Sequence, residues 1–306
     1  MAQPLNYATQ YQQALANAFP YKLHFGELWG QDAGGRYKWV DEKTIKIPRL
    51  STTGRVNADR DTIAQAARNY ENSWETKTLE NMRKWSTLVH PKDIDQTKMV
   101  ASIANITKTF NETQKFPEMD CYLISKLYSA WTTSVTDEDY TGHTANTDAM
   151  TDGDAVLAMF DKFMLDMDNA NVPADGRILY VTNEVKTLLK DAASIAKRWD
   201  VQVSSNAIHR NVEYLDNVKV NGVPKQLMKT VYDFTQGWKA GTSAQQIDMF
   251  MVHPVSIITP ISYTFAKLDE PVALSEGKYV YYEESFEDCF ILDKQADALQ
   301  FHVTAS

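Results

Sequence analysis

Two cysteines are the residues of this chain best suited to nucleophilic chemistry. Cys121 follows Asp120, and Cys289 follows Asp288. A cysteine reacts as its thiolate, which a basic neighbour favours and an adjacent carboxylate disfavours. The sequence contains no CxxC pair, so it indicates neither a zinc cluster nor a disulfide framework, and two isolated thiols fit a reducing compartment. We therefore expect both cysteines to be small, buried residues.

The residue types that ligate metals show no ligand spacing. The six histidines lie at positions 24, 90, 143, 209, 253 and 302. Asp161, Asp166 and Asp168 spread around one predicted helix, which is typical of its solvent face, whereas a cation site needs convergent oxygens. The patterns GxGxxG, GxxxxGK[ST], HExxH and GxSxG do not occur in the sequence. The sequence thus predicts no enzyme, no cofactor and no metal.

Charged residues argue against a nucleic-acid-binding surface. The chain has 31 Lys and Arg against 40 Asp and Glu, a net charge of −9, which disfavours a broad basic grip on phosphates. One segment concentrates arginines, interleaved with acidic residues: Arg49, Arg55, Arg60 and Arg68 alternate with Asp59, Asp61 and Glu71. Such mixed charge favours salt bridges between proteins over DNA binding.

Length and composition indicate an ordinary globular protein. At 306 residues the chain has room for about two domains, and 43% apolar with 23% charged residues is close to the globular average. The N-terminus lacks the basic start and long apolar run of an export signal. The longest nearly uncharged stretch, 253–266, is too short for a membrane span and contains Pro254 and Pro260. We expect no export and no membrane role.

The first 85 residues read as two segments without a core of their own. In the polar arm 1–40, Tyr7, Tyr11, Ala14 and Ala18 recur at spacings of 4, 3 and 4, which predicts a short helix ended by Pro20. In 41–85, strand patterns at 44–47 and 74–78 predict an antiparallel ribbon, whose lysines Lys46 and Lys77 would guard exposed edges. A long ribbon without a third strand is marginal in water, so we expect both segments to dock on another surface.

A helical zone follows over 86–134. Asp93 or Asp95 is a candidate cap for a long amphipathic helix. Pro117 predicts a kink or a brief break near Phe116, after which a second apolar stripe continues to Trp131. The first stripe repeats at spacings of 4, 3 and 4 and consists of Met99, Ile103, Ile106 and Phe110.

The rest of the chain has a mixed α+β pattern. A loop rich in Thr and Asp at 134–150 predicts a domain boundary, and Thr151 with Asp154 predicts a capping box. Strands are predicted at 178–181, 218–220 and 247–252, with a helix after Asn183 and a turn at Asn221-Gly222. Three further strands, at 263–265, 279–282 and 290–292, are expected to return to a sheet begun near the ribbon.

Seven short strings, spread over most of the chain, carry a family resemblance. They are IKIPRLSTTG at 45–54, WETKTL at 74–79, FPEMDCY at 116–122, GRILYVT at 176–182, VHP at 252–254, LDEP at 268–271 and GKYVYYE at 277–283. In this order and spacing the chain resembles the major capsid proteins of tailed bacteriophages with the HK97-type fold. The resemblance covers about residues 40 to 300.

The resemblance implies an organisation in five parts. It implies an α+β, HK97-like capsid fold with an N-terminal arm at 1–40 and an extended E-loop hairpin at 41–85. A peripheral domain with a long spine helix would occupy 86–134, and an axial domain 135–255. The segment 256–306 would return to the peripheral domain. This division agrees with the arm and the ribbon that lack a core of their own.

The resemblance also implies a structural function. The chain would be a major capsid protein that self-assembles through quasi-equivalent contacts into the icosahedral head around phage double-stranded DNA. Its copies would form hexamers and pentamers, with portal and scaffold or decoration proteins as further partners, and the DNA would make weak, non-specific contact. It would assemble in the host cytoplasm and reside in the virion.

In such shells the arm and the E-loop reach over neighbouring subunits, where assembly offsets the entropy of ordering them. Two alternatives remain open: an encapsulin-like shell around a protein cargo, and an α+β enzyme whose site is assembled from distant residues. The candidate intersubunit contact residues are Tyr7, Tyr11 and Leu15 in the arm, and Arg49, Arg55, Arg60, Ile63, Arg68, Tyr70 and Trp74 in the E-loop.

Overall fold

The computed structural model describes residues 21–29, 36–55, 57, 68–96, 102–133, 142–192 and 212–304. The described α-helices are α1 Pro91–Gln96, α2 Ile103–Phe110, α3 Phe116–Thr132, α4 Gly153–Asn169 and α5 Asn183–Lys190. The described strands are β1 Lys38–Trp39, β2 Thr44–Thr52, β3 Tyr70–Thr78, β4 Met82–Val89, β5 Ile178–Thr182, β6 Tyr214–Leu215, β7 Val218–Val223, β8 Tyr232–Asp233, β9 Lys239–Ala240, β10 Ile247–Val252, β11 Ile257–Ile258, β12 Ile261–Asp269, β13 Tyr279–Glu287, β14 Phe290–Ile291 and β15 Leu299–Val303. The mixed α+β class is confirmed.

The largest sheet has five strands in the order β15-β10-β5-β7-β6. β10 pairs antiparallel with β15 and β5, β5 pairs parallel with β7, and β6 forms a hairpin with β7. All five residues of β5 are buried, because both faces of the sheet are covered. The strands predicted around 178, 218 and 247 are confirmed.

Helices of the same chain cover both faces of this sheet. On one face α4 and α5 pack Phe160, Phe163 and Leu189 against alternate side chains of β5 and β10. On the other face α3 packs Leu127 and Trp131 against the remaining side chains. The sheet therefore lies between two apolar cores that the chain itself supplies.

The predicted long helix is present as α2, one π-helical turn at Asn111–Lys115, and α3, without a break between Ile103 and Thr132. Proline lacks an N–H and crowds the carbonyl four residues earlier, so a regular α-helix cannot pass through it undisturbed. The π turn lies directly before Pro117 and accommodates this disturbance. The irregularity predicted near Phe116 is thus a π turn, and Ser102 rather than Asp93 or Asp95 caps α2.

The ribbon has a third strand, which the sequence did not predict. β2 pairs with β3 along nine residue pairs, and the short strand β1 adds a third strand beside β2. β4 follows β3 and enters a separate sheet in the order β12-β13-β4. β12 and β13 therefore return to a sheet that begins beside the ribbon, as expected, whereas β14, the third of the predicted strands, pairs with β11 in a separate two-stranded sheet.

Two local predictions in the second half of the chain were wrong. Asp152, not the Thr151 and Asp154 pair, caps α4 by accepting a hydrogen bond from the backbone N–H of Ala155 at 2.8 Å. The sequence Asn221-Gly222 does not turn but continues β7. The chain turns earlier, at Asp216 and Asn217, which both have positive φ. Asn-Gly is a strong turn signal, but Asp and Asn also adopt the left-handed conformation, so the Asp216-Asn217 pair can form the turn instead.

Candidate functional site

The ribbon is exposed over much of its length. We refer to β2, β3 and the segment that joins them, residues 44–78, as the hairpin. Nine paired residues per strand extend about 30 Å at the usual strand rise. The side of the hairpin that faces the body buries Ile45, Ile47, Arg49 and Glu75, and the described residues within 50–57 and 68–74 are all exposed.

The opposite side of the hairpin carries an uncovered apolar stripe. Pro48 pairs with Trp74, Leu50 with Asn72, and Thr52 with Tyr70, so these residues share the face that points away from the body. Leu50 is 66% exposed, Tyr70 57% and Trp74 48%. Large apolar side chains clustered on a projecting element mark an interaction surface.

A buried ionic cluster holds the hairpin at its base. Arg49 and Glu75 approach within 3.3 Å, and Lys77 lies 2.9 Å from Glu75 and 2.7 Å from Asp293. The backbone N–H of Asp293 also donates to Glu75. Burial raises the pKa of Glu75, although the Lys77 ammonium opposes that effect. Two cations and two carboxylates thus fix the point at which the hairpin leaves the body.

The structure places the predicted contact residues in three different situations. Arg55, Arg68, Tyr70 and Trp74 are exposed on the hairpin, and Arg68 lies over the Tyr70 ring at 5.8 Å. Arg49 is buried in its own chain, in the cluster just described, and Lys77 belongs to that cluster instead of guarding an edge. Five further candidates lie outside the described residues: Tyr7, Tyr11, Leu15, Arg60 and Ile63.

Within the predicted arm, the described residues 21–29 are firmly attached to the body of their own chain. Asp120 of α3 accepts hydrogen bonds from the Tyr21 hydroxyl at 2.5 Å and from the backbone N–H groups of His24 and Phe25 at 2.8 and 3.1 Å. Phe25 and Leu28 are fully buried in the core beneath. Burial raises the pKa of Asp120 to about 6, against the opposing effect of the three hydrogen bonds.

The chemistry considered for the cysteines is not supported by their surroundings. Cys121 and Cys289 are both free and buried, as expected. Burial raises the pKa of Cys121 to about 12 and also raises that of Cys289, so neither is a thiolate at neutral pH. Within the described residues no group of three or more metal-ligating side chains converges. No helix in the described part of the chain has the length and apolarity needed to cross a bilayer.

Sequence reasoning missed the residues that anchor the projecting segments. Asp293 lies 216 positions from Lys77, and Tyr21 lies 99 positions from Asp120. No local period connects such pairs. The one available signal was the alternation of β2 and β3, which places Arg49 and Glu75 on the same face as Ile47.

Comparisons with known proteins give a consistent result. No family model and no curated protein matches the chain. Among solved structures, a chain from Mycobacterium phage Che8 is similar with a TM-score of 0.63 and 11% identity, covering 98% of both chains. A chain from the asymmetric unit of the mature capsid of bacteriophage PhiM1 has a TM-score of 0.67 at 11% identity. A chain from the capsid of cyanophage P-SCSP1u has a TM-score of 0.65 at 11% identity. Each of these two covers 98% of this chain and 93% of the other.

At such low identity these likenesses show the fold. They extend over nearly the whole length of the chain and of the phage chains. The chain therefore has the fold of phage capsid chains, which confirms the predicted HK97-like capsid fold. The division into arm, E-loop, peripheral domain and axial domain remains a prediction.

Proposed function

We propose that the chain is the major capsid protein of a tailed bacteriophage, many copies of which assemble through quasi-equivalent contacts into the icosahedral head around double-stranded DNA. The observation that carries this proposal is the hairpin, which is anchored at its base and uncovered at its outer end. A shell subunit needs such a segment, because its partners are other copies and each contact can be weak when several act together. The role is structural and not enzymatic.

The proposed partners follow from this role. Copies of the chain would form hexamers and pentamers, joined by a portal and by scaffold or decoration proteins. The packaged DNA would touch the wall weakly and without sequence preference, since a net charge of −9 offers few cations to neutralise phosphates. The chain would assemble in the host cytoplasm and reside in the virion.

The phage origin of the similar structures favours a viral head over an encapsulin-like compartment. Purified particles distinguish the two. A head contains nucleic acid and shows a high ratio of absorbance at 260 to 280 nm when packaged, whereas a compartment for an enzyme contains protein alone.

The apolar stripe of the hairpin provides the test. In a triple variant, Leu50→Ser, Tyr70→Ser and Trp74→Ser, we expect the free energy of unfolding of the free chain to change by less than about 1.5 kcal/mol in total, because each site is exposed. We expect particle yield, counted by electron microscopy, to fall at least about tenfold, which corresponds to a loss of about 1.4 kcal/mol at the contacts.

A matched control lies on the same face. The double variant Thr52→Ser with Asn72→Ser replaces two polar residues of that face by another polar residue and leaves the apolar stripe intact. It should therefore leave particle yield unchanged. Normal particles from the triple variant would refute the role of the stripe. A wild-type chain that stays monomeric at every concentration, salt and scaffold condition would refute the proposed function itself.

A further inference from the structure

The ionic cluster at the base of the hairpin holds a lysine amine against a carboxyl group from a distant part of the chain. The Nζ atom of Lys77 lies 2.7 Å from Oδ1 of Asp293, and 216 positions separate the two residues. The same Nζ lies 2.9 Å from Oε1 of Glu75. The Glu75 side chain is 4% exposed and that of Asp293 is 8% exposed. The amine therefore contacts two buried carboxylates at once.

These three groups are the ones that an amide bond between two side chains requires. A lysine attacks a carbonyl carbon as the neutral amine, so it needs a proton acceptor beside it. The oxygen that leaves the attacked carboxyl group needs a proton donor. Glu75 is placed for both tasks, because it contacts the Lys77 amine and accepts a hydrogen bond from the backbone N–H of Asp293 at 3.4 Å.

The protonation behaviour of Glu75 agrees with this role. Burial raises its pKa, the Lys77 ammonium opposes that effect, and the Asp293 carboxylate raises the pKa further. A carboxyl group whose pKa is shifted toward neutral pH takes and returns a proton more readily at that pH. The geometry thus supplies the contacts, and burial supplies the acid–base property.

Charge balance selects Asp293 over Glu75 as the carboxyl group that reacts. The Arg49 guanidinium lies 3.3 Å from Glu75 and 4.0 Å from Asp293. An amide between Lys77 and Asp293 removes one cation and one carboxylate, and it leaves Arg49 paired with its nearer carboxylate. An amide between Lys77 and Glu75 would remove that nearer carboxylate. Because buried ions cost desolvation free energy unless they are closely paired, the first product is favoured.

The surroundings of the pair favour a neutral amide over two charges. Ile45, the cross-strand neighbour of Lys77, is fully buried and packs with Leu79 and Phe290. Apolar walls of this kind make buried charges costly. A cavity of about 350 Å³, lined by both Lys77 and Asp293, adjoins the pair and offers a released water molecule a way out. The strand and the packed segment also hold the two groups in place, which lowers the entropic barrier to their reaction.

We propose that Lys77 and Asp293 condense into an isopeptide bond within one chain, with Glu75 transferring the proton. The bond joins the base of the hairpin to the 3₁₀ helix Asp293–Ala298. It needs no second copy and therefore does not depend on the proposed function. In an assembled shell it would keep the base of the hairpin in place while other copies hold its outer end.

The condensation balances without an oxidant or a further reactant. Glu75 takes one proton from the Lys77 ammonium, and the lone pair of the nitrogen forms a bond to Cγ of Asp293. The bond from Cγ to one carboxyl oxygen breaks, and its electron pair leaves with that oxygen. The oxygen receives one proton from Glu75 and one from the attacking nitrogen and departs as water. An amide with one N–H remains, and Glu75 is again ionised beside Arg49.

The mass of the intact chain tests this bond directly. The full-length chain is incubated at neutral pH, denatured and measured by mass spectrometry, and chains extracted from particles are measured in the same way. We expect a mass lower by one water molecule than the sequence requires. Proteolytic digestion should yield a branched peptide that contains both Lys77 and Asp293.

Two variants identify the reacting groups. Lys77→Arg retains a positive charge but supplies no amine for the bond, so its chain should keep the full mass. Glu75→Gln removes the proton transfer and should slow the loss of water about a hundredfold or more. Circular dichroism shows whether each variant folds. If Glu75→Gln does not fold, the masses of the wild type and of Lys77→Arg decide.

Another ion pair of the chain is the matched control. Lys126 lies 2.8 Å from Glu80, a comparable distance, but the Glu80 side chain is 71% exposed to water. No branched peptide should join these two residues. A wild-type chain of full mass, a folded Glu75→Gln variant that loses water as fast as the wild type, or a bond between Lys126 and Glu80 would each overturn the inference. The proposed function would stand in all three cases, since particle formation tests it separately.

Discussion

The five-stranded sheet and the hairpin are built from the same kind of strand pairing but differ in what covers them. In the sheet, β5 and β10 are buried on both faces because α3, α4 and α5 of the same chain pack on them. In the hairpin, the chain covers one face as far as Arg49 and leaves the other face uncovered. Strand pairing alone thus does not complete a region, and the uncovered face of the hairpin is the surface that the proposed function assigns to other copies.

The largest test of this comparison exchanges one aromatic residue for alanine in each region. Phe250 of β10 is fully buried and stacks on Phe301 with ring centroids 4.5 Å apart. Phe250→Ala should lower the free energy of unfolding by about 3–5 kcal/mol. Trp74→Ala in the hairpin should change it by less than about 0.5 kcal/mol. Urea unfolding of the free chain measures both, and equal losses would show that the hairpin is packed like the core.

A second test locates the boundary between the covered and uncovered parts of the hairpin. Glu75→Ala removes the carboxylate that lies 3.3 Å from the buried Arg49 guanidinium, whose distance to Asp293 is 4.0 Å, and should lower the free energy of unfolding by about 3 kcal/mol. Replacing the pair together, by Arg49→Met with Glu75→Leu, retains the Lys77 and Asp293 ion pair and should cost less than half as much. Similar losses from the two variants would mean that packing at this position, and not uncompensated charge, sets the boundary.

A third and smaller effect concerns the segment before the hairpin, where Asp120 holds Tyr21. The folded pKa of about 6 lies above the ordinary value of 3.8, so the group's contribution to stability is full below about pH 3.8 and is lost as pH rises through about 6. Between these two pH values the contribution of Asp120 to the free energy of unfolding changes by at most about 3 kcal/mol.

Asp120→Asn removes this titration while keeping the shape of the side chain. The stability of the wild type relative to the variant should therefore decrease as pH rises from about 4 to about 7, measured by urea unfolding at each pH. A difference that stays constant over this range, or that increases, would contradict the raised pKa and the strong burial of the anchor.

Most secondary structure could be predicted because its signals are local. The apolar run at β5, the alternation in β2 and β3, and the stripe of α3 each follow from the period of one element. Where a prediction was wrong, another residue nearby in the sequence takes the predicted role. Asn221-Gly222 continues a strand because Gly222 leaves room for Asn183, whose Oδ1 would lie 2.7 Å from an added Cβ, and the turn forms at Asp216 and Asn217 instead.

The candidate site was predictable only in part. Sequence composition indicated that the hairpin lacks a core, and Tyr70 and Trp74 are exposed as that hypothesis requires. The alternation of β2 places Arg49 on the buried face beside Ile47, but the ionic cluster that it joins includes Asp293, which no local pattern connects with the hairpin.

The sequence by itself determined which segments could not bury their own surface, since apolar content and period within a short window decide how much area an element can cover. Tertiary structure alone decided which charges are compensated. The partners Lys77 of Asp293 and Tyr21 of Asp120 lie 216 and 99 positions away, and the free energy of a buried charge depends on the groups packed around it, which no window of sequence contains.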